Sequence, residues 1–234
     1  MPSTPKALLL KFPGTNCDAE TKGALQLAGF DATVQPISIV DPATLSDYQL
    51  LVFSGGFSYG DYIMAGRLAK LELERRLGTA VQDYYANGGH LLGICNGFQI
   101  LSEIGVLPAS SLIQNTTGRF VCRWASLKKQ QADNPYLNGL PEEFELPVAH
   151  AEGRLVSHQA DKELLGHATL TYGENFNGST QAIAGMQDES GRVFGLMPHP
   201  ERFIQRRHHY DPDWAEQEYG WGYYIFQSIY QHLS

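Results

Sequence analysis

The sequence predicts a doubly wound α/β fold: a mostly parallel sheet flanked by helices, with a small antiparallel extension. Three observations lead there. Short apolar runs rich in leucine, valine and phenylalanine recur at residues 7–12, 33–39, 50–53 and 90–94, as expected of strands buried on both faces. Segments of helical length lie between them, and alternation of this kind implies a parallel sheet. The second half is less regular, with strand-like runs at 120–126, 146–149, 182–187 and 193–197 and turn signals at Asn138-Gly139 and Asn177-Gly178. These read as an extension of the sheet or a flanking antiparallel layer.

Taken in order, the first strand leads into the loop Pro13-Gly-Thr-Asn16 and a helix at 19–28, with Asp18 as its N-cap. The third strand ends at the glycine loop Ser54-Gly-Gly-Phe-Ser-Tyr-Gly-Asp61, before a helix at 67–86 that carries Leu68, Leu71, Leu73 and Leu77. The fourth runs into Cys95 and a helical stretch at 98–104. A closing helix spans 214–232, weakened by Gly220 and Gly222. In this fold class functional groups gather at the carboxyl ends of the strands, which singles out the three loops just named. Without repeats, low-complexity tracts or a linker, residues 1–234 read as one domain.

Charge and cysteine content narrow the function. Seventeen basic residues against 25 acidic ones give a net charge of -8, with no cationic surplus for nucleic acid or anionic lipid. The apolar run at 7–10 is too short for a secretory or membrane segment, so a cytoplasmic protein is expected. Cys17, Cys95 and Cys122 are odd in number and widely spaced, which suits neither a disulfide framework nor a zinc site. No metal is expected.

Cys95 lies in Gly93-Ile94-Cys95-Asn96-Gly97, between a strand and a helix. Glycines two residues before and after the apex relieve crowding where a strand passes directly into a helix, the arrangement of a nucleophile elbow. A sulfur at the head of a helix meets unpaired N–H groups and the positive end of the helix dipole, which favour the thiolate. An isolated cysteine after a buried strand more often serves as a small apolar residue; the paired glycines argue against that here. The matching base is His199 in Met197-Pro-His-Pro-Glu201, where the flanking prolines keep the chain extended and put His199 and Glu201 on one side. Cys95, His199 and Glu201 thus form a nucleophile, a base and an orienting carboxylate. His90, His158, His167 and His232 read as structural. Acyl transfer also needs oxyanion donors: the elbow offers the N–H of Asn96, and the loop at Ser54-Gly55-Gly56 stands where a second is usual, although paired glycines also serve ordinary tight turns. His208, His209 and Asp211 lack a further ligand at suitable spacing and read as a solvated or partner-facing loop.

Gly93-Ile-Cys-Asn-Gly-Phe-Gln99, Gly55-Gly-Phe-Ser-Tyr-Gly-Asp61 and Met197-Pro-His-Pro-Glu-Arg202 together resemble the class I glutamine amidotransferases, which have a flavodoxin-like fold. Within them the chain is most similar to the glutaminase subunits of phosphoribosylformylglycinamidine synthases, a family of de novo purine biosynthesis. Phe12-Pro-Gly-Thr-Asn-Cys-Asp18, Ala149-His-Ala-Glu-Gly-Arg154 and Asn177-Gly-Ser179 resemble further signatures of that family. The resemblance implies hydrolysis of L-glutamine to glutamate and ammonia through a thioester on Cys95, with His199 and Glu201 completing a triad. It implies oxyanion N–H groups from Gly56 and Asn96, with Gly55 as the alternative loop donor, and Gln99 beside the bound glutamine. The chain departs from the family pattern at Ser54 and Phe176, where many relatives carry proline, and in a long tail after Arg202 like that of large single-chain synthases.

The chain has no phosphate-binding loop, so no cofactor is expected in it. ATP and magnesium belong to the implied synthetase subunit, and a small bridging subunit is a further implied partner. Tyr59, Asp61, Tyr62 and Arg67 are candidates for that interface. Two other readings remain: another thiol amidase of the same fold, and a non-catalytic interaction subunit.

Overall fold

Strand follows helix through the first half of the chain as the apolar runs require. The computed structural model describes residues 4–56, 65–130 and 134–234; Tyr59, Asp61 and Tyr62, with the rest of 57–64, lie outside the described residues. The elements are β1 (Lys6–Lys11), α1 (Asp18–Ala28), β2 (Asp31–Pro36), β3 (Leu50–Phe53), α2 (Ala65–Leu77), α3 (Ala80–Ala86), β4 (His90–Ile94) and α4 (Asn96–Glu103). The second half adds β5 (Ser111–Ile113), β6 (Val121–Lys129), β7 (Glu143–His150), β8 (Arg154–Val156), α5 (Asp161–Gly166), β9 (Ala168–Tyr172), β10 (Ile183–Gln187), β11 (Val193–Leu196) and α6 (Trp221–Leu233).

Among the described residues a nine-stranded sheet runs in the order β2-β1-β3-β4-β11-β10-β9-β6-β7. Pairing is parallel from β2 to β11 and antiparallel from β11 to β7. A second, two-stranded antiparallel sheet joins β5 to β8. The α/β class read from the sequence holds, with the antiparallel part larger than expected. Leu8, Leu9, Leu10, Leu50–Phe53, Leu91 and Leu92 are buried, each side chain contributing about 2 kcal/mol of apolar burial. Phe53 pairs with Gly93, and Gly93 with Gly195, so β3, β4 and β11 deliver their following loops to one edge.

Several elements differ from expectation, for identifiable reasons. The single helix expected at 67–86 is two, because Gly78 adopts φ 57° and closes α2 by donating its N–H to Glu74 O at 3.1 Å. Cys17, rather than Asp18, occupies the N-cap position of α1; Asp18 lies in the first turn and pairs with Lys11 Nζ at 2.8 Å. The closing helix starts at Trp221 rather than at 214, since Trp214 is folded edge-on against Phe203 and Trp221. Strands β6 and β7 are longer than read, and their charged ends are reconciled by the cross-strand pair Lys128–Glu143 at 2.8 Å.

Candidate active site

The loops after β1, β3, β4 and β11 meet at the carboxyl edge of the parallel strands. Cys95 passes from β4 to α4 in one residue, at φ 51° and ψ -107°. This is a conformation that costs a non-glycine residue about 1–3 kcal/mol. A Cβ on Gly93 would lie 2.6 Å from Leu101 Cδ1 and 2.7 Å from Gly97 O, and one on Gly97 would overlap Phe53 O. Both elbow glycines are therefore required by close approach. Cys95 N donates to Leu196 O at 2.8 Å, and Cys95 O accepts from Phe98 N and Gln99 N, which begins α4. The thiol is 7% exposed, with Sγ 3.8 Å from Ala149 O.

His199 is held by its own N–H, which donates to Pro147 O at 2.8 Å. Its Nδ1 stands 2.6 Å from Glu201 Oε1, and both residues are 2% exposed. The stretch is not extended as expected: Pro200–Arg202 form a short 3-10 turn, and the turn brings the carboxylate back to the ring. Burial alone would strip the ring of its proton. The Glu201 carboxylate, with the Cys95 and Cys17 thiols beside it, outweighs burial and holds His199 protonated well above the usual histidine range. Nε2 has no hydrogen-bond partner among the described residues.

The glycine loop closes on the same place. A Cβ on Gly55 would sit 2.8 Å from His199 Cε1 and 3.3 Å from Cys95 Cβ. Gly56, at φ 123°, bridges Thr15 of the first loop. Gly56, Cys95, Ala149, His199, Arg202 and Cys122 line a recess of about 160 Å³. Asn96 is buried, and its Nδ2 donates to Gln99 Oε1 at 2.8 Å; Gln99 Nε2 in turn donates to Glu152 O at 2.6 Å. Gln99 thus faces a neighbouring cavity of about 340 Å³, shared with Arg67, Glu103 and Glu152. Wider cavities, near His90 and His158, lie away from the thiol. His90, His158, His167 and His232 do not line the recess.

The two further signature stretches, at 149–154 and 177–179, also come to the site. His150 is buried, with Nδ1 3.1 Å from Asn115 Oδ1, and burial lowers its pKa to about 4. The stretches around Gly153 and Asn177, far apart in sequence, are joined by Asn177 Nδ2 donating to Gly153 O at 2.8 Å. Cys17, His199 and Glu201 present donor atoms within 4.8 Å of one another. All three are already engaged within the protein: Glu201 Oε1 with the imidazole, and Cys17 Sγ with Arg202 Nη2 at 3.1 Å. His209 corrects the solvated-loop expectation. It is buried, bonds Glu145 Oε1 at 2.7 Å and packs among Trp124, Phe203 and Trp214. His208 and Asp211 are exposed.

The chain is similar to known proteins along most of its length. A family described as the CobB/CobQ-like glutamine amidotransferase domain matches residues 4–233. The chain is 39% identical to the phosphoribosylformylglycinamidine synthase subunit PurQ of Dehalococcoides mccartyi, over 94% of each chain. It is also 39% identical to the PurQ subunit of Thermotoga maritima, over 86% of this chain and 89% of that one. The chain belongs to the PurQ family of glutamine amidotransferases. A chain in the structure of PurLQS from Thermotoga maritima superposes with a TM-score of 0.83 at 35% identity, covering 99% of this chain and 100% of that one. A glutamine amidotransferase from Thermotoga maritima shares the fold, at 18% identity and a TM-score of 0.60, covering 88% of this chain and 79% of that one. The family match takes in the tail after Arg202. Among the described residues no helix is long and apolar enough to cross a membrane.

Two glycines and one histidine make this geometry testable through stability. Gly97→Ala is expected to cost about 3 kcal/mol or more in chemical denaturation, since backbone must move. Gly23→Ala, on the exposed face of α1 with open space around it, should gain up to about 1 kcal/mol. His150 is neutral in the folded protein, whereas the unfolded chain takes up a proton below about 6.5. Stability should therefore decrease as pH falls through the window from about 6.5 to about 4. The urea midpoint measured across that window should drop less in His150→Gln.

Proposed function

We propose that this chain is the glutaminase subunit of a phosphoribosylformylglycinamidine synthase, acting as one catalytic domain over residues 1–234. The observation that carries this reading is the convergence at one recess of a strained elbow thiol and His199, whose ring lies 2.6 Å from the buried Glu201 carboxylate. Cys95 sulfur attacks the side-chain carboxamide carbon of L-glutamine, and the N–H groups of Gly56 and Asn96 receive the oxyanion. His199 delivers its proton to the departing nitrogen, and ammonia leaves. It then takes a proton from water as the thioester hydrolyses to glutamate, regenerating the thiolate–imidazolium pair. Glu201 holds the ring and stabilises its positive charge. Gln99, tied to Asn96 and Glu152, borders the cavity that receives the amino-acid end of the substrate, where Arg67 and Glu152 offer groups of both charges.

Ammonia is useful to an amidine synthesis only where the acceptor is activated. The synthetase subunit, with its ATP and magnesium, and a small bridging subunit complete the assembly in the cytoplasm. The name PurLQS of the similar Thermotoga maritima structure supports such partners. This chain itself needs no cofactor in the reaction described.

Cys95→Ala should lower ammonia release from glutamine by about four orders of magnitude while leaving the protein folded. A variant that retains full activity would remove the mechanism, and preference for another amide in a substrate panel would favour the thiol-amidase reading. Glu201→Gln should lower the rate and move the alkaline limb of kcat/KM to lower pH. The sign follows from the carboxylate, which raises the proton affinity of His199.

A further inference from the structure

We infer that Cys17 is a positioning residue whose thiol ties the first loop and the glycine loop to the His199–Arg202 turn, fixing the base relative to the oxyanion donors. The inference rests on the glutaminase reading above and extends it to a residue outside the triad.

Cys17 is 1% exposed and lies at the end of the loop after β1. Each of its polar atoms reaches a different part of the site. Sγ accepts from Arg202 Nη2 at 3.1 Å and donates to Asn16 Oδ1 at 3.7 Å. The N–H donates to Gly55 O at 3.3 Å, and the carbonyl accepts from Thr21 N and Oγ1 at the start of α1. Asn16 in turn packs so closely on Gly56 that a Cβ there would overlap its Oδ1. Arg202 is the residue after Glu201, and its Nε also reaches Glu20 of α1 at 3.4 Å. Cys17 therefore joins the glycine loop to the turn that presents His199 and Glu201: its backbone N–H holds Gly55 O, and its thiol links Asn16, which packs on Gly56, to Arg202. A small apolar residue would fill the volume but make neither sulfur contact.

The groups facing His199 are Glu201 and Arg202 from its own turn, Cys95 from the elbow, Cys17 from the first loop and His150 from β7. Loss of the Cys17 thiol removes one of the groups that favour the imidazolium, and it frees Arg202 to shift. A positioning role acts on the chemical step more than on substrate binding.

The test is steady-state glutamine hydrolysis by the full chain, alone and with its synthetase, across pH. Cys17→Ala is expected to lower kcat about tenfold with KM changed less than about twofold, and to move the alkaline limb of kcat/KM to lower pH. Cys17→Ser keeps a donor and an acceptor and should recover most of kcat and the limb. Wild-type kcat and pH limb in a folded Cys17→Ala protein would overturn the inference, as would a serine variant as impaired as alanine. Should Cys17→Ala fail to fold, Arg202→Met supplies the second arm: an unchanged kcat and limb there would equally overturn it. Failure of the glutaminase reading itself would show separately, as wild-type ammonia release that does not depend on Cys95.

Discussion

Cys95 turns a strand into a helix in a single residue, and the other features of the site depend on that turn. Its positive φ is costly for a residue with a side chain. It persists because Gly93 and Gly97 leave no Cβ in the way and because Leu196 O and the first turn of α4 hold the backbone on both sides. The result is a sulfur that faces the carboxyl edge of the sheet rather than the core. The neighbouring strands β3 and β11 end in register with β4, so the glycine loop and the histidine turn arrive at the same height.

The second constraint is electrostatic. A cationic imidazole with so little solvent contact is normally disfavoured, since burial penalises the charged form. Here Glu201 at 2.6 Å reverses the balance, and the thiols nearby add to it. His150, a few residues along β7 from the His199 N–H acceptor Pro147, shows the opposite outcome: it has an amide oxygen for a neighbour instead of a carboxylate and stays neutral. Two buried histidines in one neighbourhood thus shift in opposite directions: His199 has an adjacent carboxylate and thiols, while His150 has burial and the charge of His199 against it.

Much of this was legible in the sequence. The runs at Leu50–Phe53 and His90–Ile94 matched their strands to the residue, because a buried parallel strand needs apolar side chains on both faces. The elbow glycines and the His199–Glu201 spacing were visible as local patterns. The buried strand β9 was not, since Thr169 and Thr171 are polar by type yet buried by position. Nor was the role of Cys17, which meets Arg202 across 185 residues. Contacts of that separation follow from topology and leave no periodicity to read. The His209 cluster escaped for the same reason, since His209 meets Glu145 across 64 residues, and the Trp214 fold-back depends on Phe203 and Trp221, which a helical reading of 214–232 does not bring to it.

Cys95, and neither of the other two cysteines, should act as the nucleophile toward glutamine. The most direct measurement is peptide mapping by mass spectrometry after reaction with a glutamine analogue that carries an electrophile at the side-chain amide position. One adduct per chain is expected, on the peptide containing Cys95, suppressed by excess L-glutamine and weakened by Glu201→Gln. An adduct on Cys17 or Cys122 with Cys95 unmodified, or labelling indifferent to glutamine, would contradict it.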